Sequence, residues 1–104
     1  MYRCPDEREV LELLRSAMAS LPAAHRHALQ SALIPPTRVP VDDCPGEFVI
    51  AVAQFEQGVL YWSDVEEGWE VEPLTAEGTI PSRRCNQFEL KHVMYQLRGE
   101  PNAV

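Results

Sequence analysis

A chain of 104 residues has the size of one domain, and its 45% apolar and 24% charged residues are near the globular average, which excludes disorder, collagen-like sequence and coiled coil. Sixteen Asp and Glu against nine Lys and Arg give a net charge of −7, a balance that disfavours nucleic acid as a partner. No apolar run approaches the ~18 residues of a membrane span, and the opening Met1-Tyr2-Arg3-Cys4-Pro5-Asp6 lacks the layout of a signal peptide. A cytoplasmic protein with no membrane contact is expected.

The first element reads as a helix from about Pro5 to Ala19, with Pro in the first turn and Asp6, Glu7 and Glu9 at its electropositive end. Val10, Leu14, Met18 and Leu21 recur at helical spacing, a stripe for a core. Ser20 precedes Leu21-Pro22 as a cap, and a second helix to about Leu33 buries Leu21, Ala24, Ala28, Leu29, Ala32 and Leu33. His25 and His27, two apart, point to different sides and are expected in solvent.

The run Leu21-Pro22-Ala23-Ala24-His25-Arg26-His27-Ala28-Leu29 resembles the start of the DNA-reading region of sigma factors. The next segment, Ile34-Pro35-Pro36-Thr37-Arg38-Val39-Pro40, is incompatible with the base-contacting helix that such a region requires, so the resemblance is set aside. Residues 35–46, with Pro35, Pro36, Pro40, Pro45 and Gly46, read as an extended crossing loop.

From Glu47 the period changes to two. Phe48–Phe55 is apolar on both alternating faces, which suits a strand covered on both sides or lying at the sheet centre. Gln57-Gly58 turns the chain into Val59–Asp64, and Val65–Gly68 turns it again into a third strand, Trp69–Leu74. There Trp69 and Val71 share one face, while Glu70 and Glu72 make the other wet and acidic. Pro73 places this strand at an edge or marks its end, and a short fourth strand is expected around Gly78-Thr79-Ile80. A last helix opens at Asn86 with a capping box to Glu89 and a staple between Cys85 and Leu90. It buries Phe88, Leu90, Val93, Met94 and Leu97 and stops at Gly99. The chain is thus expected to be a single α+β domain over residues 1–104. Two N-terminal helices precede a three- to four-stranded antiparallel meander, and the C-terminal helix packs on one sheet face.

The acids are unevenly placed. Between Val39 and Ser82 lie Asp42, Asp43, Glu47, Glu56, Asp64, Glu66, Glu67, Glu70, Glu72 and Glu77 and not one Lys or Arg, so these 44 residues carry −10 and the remainder +3. Such a field speeds encounter with a basic surface, and salt weakens it. Solubility alone is the plainer explanation.

No phosphate loop, dinucleotide fingerprint, nucleophile elbow or zinc-protease motif is present. Cys4, Cys44 and Cys85, about forty residues apart, offer neither a disulfide framework nor a metal half-site, and reduced thiols are expected. Cys44 or Cys85 with His92 is a chance Cys–His pairing, and Asp42-Asp43 or Asp64 with Glu66 and Glu67 is a weak carboxylate or cation site. No catalytic residue, metal or cofactor is assigned.

Aromatic residues ringed by one sign of charge remain. Tyr61 and Trp62, with Asp64, Glu66, Glu67, Glu70 and Glu72, have the composition of a protein-binding surface for Arg and Lys, while Trp69 reads as core. The expectation is an acidic module that occupies a basic surface of a partner protein, as inhibitors and toxin-immunity proteins do. Two alternatives stand beside it: an accessory subunit that self-associates through the Trp69–Leu74 edge, and a small enzyme with a carboxylate or Cys–His site. Monomer and homodimer are both compatible with the sequence.

Overall fold

Asp6 caps the first helix, α1 (Glu7–Met18): its carboxylate accepts the Glu9 N–H at 2.9 Å, and the Glu9 carboxylate accepts the Asp6 N–H at 3.2 Å. This reciprocal box satisfies two orphan donors of the first turn. The computed structural model describes residues 6–63, 67–82 and 88–99. The second helix, α2 (Ala23–Ala32), starts from Pro22, whose fixed φ replaces the expected Ser20 side-chain cap. Arg26 reaches back from α2 and donates to the Met18 and Leu21 carbonyls at 3.2 and 2.8 Å, closing the turn between the helices.

The proline-rich segment is a strand where a loop was expected. Leu33–Pro40 form β1, paired antiparallel with β2 (Phe48–Phe55), and only residues 41–47 connect them. β1 lies at the margin of the sheet, the position where missing N–H groups cost little. Its register slips between Leu33 and Thr37, around the Pro35-Pro36 pair.

β3 (Gly58–Ser63) and β4 (Gly68–Glu72) complete a four-stranded antiparallel meander in the order β1-β2-β3-β4. A bulge between Ala51 and Ala53 puts Val52 and Ala53 together on the helix-covered face. On that face Val10, Leu14, Leu29, Leu60, Trp69 and Met94 form one core. On the other, Val39, Val49, Ala51, Val59 and Tyr61 form a second with Val41 and Ile80.

The second core overturns the expected wet acidic face. After β4 the chain returns so that Ile80 pairs with Val41 in an isolated parallel bridge, which is all that forms of the expected strand at Gly78-Thr79-Ile80. Ile80 N–H donates to the Pro40 carbonyl at 3.0 Å, and the Asp42 and Asp43 N–H groups donate to Ile80 and Pro81 at 2.9 and 3.1 Å. Glu70 and Glu72, opposite Tyr61 and Val59 on this face, are accordingly only 4% and 7% exposed.

The last helix, α3 (Leu90–Arg98), packs on the sheet. It begins at Leu90, with extended Glu89 as its N-cap, three residues later than the cap expected at Asn86. Phe88 is held out of the helix because its carbonyl accepts the Trp69 N–H of β4 at 2.9 Å. Asn86 and Cys85 lie outside the described residues. Gly99 ends α3 with φ 73°.

Arg38 of β1 donates to the Glu7 carboxylate at 3.0 Å while its guanidinium lies 4.5 Å from the centre of the Phe48 ring, tying α1 to the sheet margin. That hydrogen bond holds the Glu7 carboxyl below the usual carboxylate range. A lowered folded-state pKa stabilises the fold above the ordinary carboxylate pKa and is lost as pH falls through the depressed value. In an NMR titration Glu7 is therefore expected to protonate below the ordinary carboxylate pKa, and Arg38→Gln to raise its midpoint.

Gly58 has φ 145°, and a Cβ there would stand 2.3 Å from the Glu72 carbonyl oxygen. Gly58→Ala is expected to cost about 2–4 kcal/mol in urea unfolding, the sum of backbone strain and overpacking. Gly78→Ala, at φ 80° with open space around it, is expected to cost only about 1–2 kcal/mol.

Candidate functional site

The predicted surface residues divide between the two faces of the sheet. Tyr61 is fully buried in the second core, and Glu70 and Glu72 are buried beside it, so these three do not form an open surface. Trp62 is half-buried on the helix side and packs edge-to-face on Trp69, with ring centres 5.2 Å apart and planes at 71°. The two residues are directly opposite across β3 and β4, and Trp69 directs its N–H away from β3, which brings their side chains close. Trp69 is 3% exposed, a core residue as expected. Glu67 stands exposed in the β3–β4 connection with φ 53°. Asp64 and Glu66 lie outside the described residues.

Trp62 and Glu67 meet at an open groove of about 480 Å³. Leu13, Ser16 and Ala17 of α1, with Ser20 in the turn that follows it, line one side, and Phe88, Glu89, Leu90 and Lys91 at the start of α3 line the other. Trp62 and Trp69 lie between them. Leu13 is 38% exposed. At the rim, Lys91 pairs with Glu89 at 3.3 Å. Glu67 has no ion pair among the described residues.

The meander gathers further acids at the same end. The β1–β2 and β3–β4 connections both leave the sheet at one end, so exposed Asp42, Asp43 and Glu47 share it with Glu67. The hairpin turn at exposed Glu56 and the exposed Glu77 follow the opposite ends of their strands.

Other candidates do not assemble. Cys44 is half-buried against the second core, whereas His92 is exposed on α3 across the sheet, so they form no nucleophilic pair. Among the described residues no three His, Cys, Asp or Glu side chains are placed to hold a metal ion.

His25, expected in solvent, is 2% exposed. Its Nε2 lies 2.8 Å from the Gly99 carbonyl oxygen, linking α2 to the end of α3, and its ring meets Tyr95 edge-on at 5.6 Å. Nε2 therefore donates to that carbonyl, and buried Nδ1 has no hydrogen-bond partner among the described residues. The spacing Leu21, His25, Leu29 already placed it on the buried stripe of α2.

Compared with known proteins, the chain matches no family model, no curated protein and no solved structure. The functional reading therefore rests on its own residues.

The unequal burial of the two tryptophans sets an expected difference. Trp69→Ala is expected to cost about 3–5 kcal/mol in denaturant unfolding, as for a fully buried aromatic residue. Trp62→Ala is expected to cost about half as much or less, because part of its ring is already in water. Equal losses would mean that Trp62 is core and the groove is not an open surface.

Proposed function

We propose that this protein is a small acidic binding module that occupies a basic surface of a partner protein, of the inhibitor or toxin-immunity type, without catalysis of its own. The observation that carries the reading is that the exposed acids Asp42, Asp43, Glu47 and Glu67 share one end of the sheet, the end at which β3 carries the half-buried ring of Trp62. An aromatic anchor supplies contact area, and acids around it supply steering and register against cationic residues. Relative to the surface expected from sequence, the working face loses Tyr61, Glu70 and Glu72 to burial and gains Asp42, Asp43 and Glu47. The same negative field repels phosphate, so direct binding to nucleic acid forms no part of the proposal.

A cytoplasmic setting belongs to this reading, supported by the free thiol of Cys44. No helix among the described residues is long and apolar enough to cross a membrane. Self-association through β4 has weaker support. β4 lies at the sheet margin, but its Trp69 N–H is already donated to Phe88.

The test is capture from source lysate at low salt by the tagged protein and by a variant carrying Asp42→Lys, Asp43→Lys, Glu47→Lys and Glu67→Lys. The wild type is expected to recover a basic protein that rising salt releases, and the variant to bind that protein about tenfold or more weakly. Equal capture by both, or recovery of the bait alone, would overturn the proposal. Light scattering over a concentration series then reads the self-association alternative directly.

A further inference from the structure

We propose that the groove between α1 and the start of α3 is the seat of one arginine side chain of the partner, its guanidinium lying against Trp62 and paired with Glu67. The assignment rests on the protein-binding reading above and sharpens it to the chemistry of a single anchor.

The first argument is the match of surfaces. Leu13, Ala17, Trp62 and Phe88 offer apolar contact along the groove, which suits a side chain with an aliphatic stem. The second is charge. Glu89 is answered by Lys91 at 3.3 Å, and as N-cap it also faces the positive end of α3. Glu67 at the rim has no ion pair among the described residues, so the unmatched charge of the lining is negative. An apolar groove with an unmatched carboxylate at its rim selects a cation carried on an apolar stem.

Arginine fits better than lysine. Its planar guanidinium is weakly hydrated, stacks on aromatic faces and forks onto a carboxylate, whereas an ammonium keeps its water. The chain already uses this combination internally. Arg38 lies over the Phe48 ring at 4.5 Å and donates to the Glu7 carboxylate at 3.0 Å. Trp62 and Glu67 present the same two surfaces, an aromatic ring and a carboxylate, with no arginine among the described residues lining the groove.

The experiment uses three peptides, acetyl-Leu-Arg-Gly-amide and its lysine and citrulline counterparts, added to the full chain while the Trp62 indole N–H signal is followed by NMR. The arginine peptide is expected to shift that signal with roughly millimolar affinity. The lysine peptide is expected to bind about threefold more weakly, and the neutral citrulline peptide about tenfold more weakly. Glu67→Gln is expected to erase the preference for arginine over citrulline, whereas Glu56→Gln with Glu77→Gln, exposed acids outside the proposed face, is expected to leave it unchanged. Equal shifts by citrulline and arginine, or an unmoved Trp62 signal at about 10 mM arginine peptide, would overturn the arginine seat. If lysate capture still depends on the four acids after that outcome, the binding reading stands without this anchor. If capture fails too, both fall.

Discussion

Burial of β2 on both faces is the constraint from which the rest of the architecture follows. Val49, Ile50, Ala51, Val52 and Ala53 are all buried, so one layer of helices cannot satisfy the strand. The three helices cover one side, and the second cover comes from the ends of two connections, where Val41 and Ile80 close over Val49, Val59 and Tyr61. A short backbone ladder around Pro40, Asp42 and Ile80 holds that cover in place. The apolar material of the connections is thereby spent on the second core, and their charged residues are left to face outward at the sheet end. The acidic end and the second core are two results of one packing requirement.

Elements whose signals are local were legible in the sequence. The stripes Val10–Leu14 and Leu90–Val93–Met94 identify helix faces, the two-sided apolar run identifies β2, and Gly58 and Gly99 mark a turn and a stop. The unread element is β1, because three prolines in eight residues remove ladder donors, and only an edge position with a slipped register makes them tolerable. Alternation correctly separated Trp69 from Glu70. It could not say whether the far face met water, since that depends on Ile80, ten residues further along the chain. The start of α3 was misjudged for a similar reason: Phe88 is recruited to β4 by a backbone bond that local capping chemistry does not report. Of the site, Trp62 and Glu67 were legible, whereas the contributions of Leu13, Phe88 and the β1–β2 acids follow from topology.

The groove owes its form to that same recruitment. Phe88 stands beside β4 just before α3 begins, and the groove lies along this segment, α1 and the half-buried ring of Trp62. At the other end of α3, His25 holds the Gly99 carbonyl from 74 residues away in sequence. The helix is thus flanked at both ends by hydrogen bonds to separate elements, which fixes the groove wall it provides.

The margins of the sheet bear on how the protein behaves at high concentration. Along β1, Pro35, Pro36 and Pro40 have no N–H to offer an incoming strand, and the register slip bends the backbone away from a straight template. Along β4, the Trp69 N–H is occupied by Phe88. A sheet this rich in Val, Ile and Ala would otherwise be a seed for edge-to-edge growth into aggregates. The prolines of β1 thus act as gatekeepers, withholding donors along one margin of a sheet whose strands are otherwise suited to pairing with further strands.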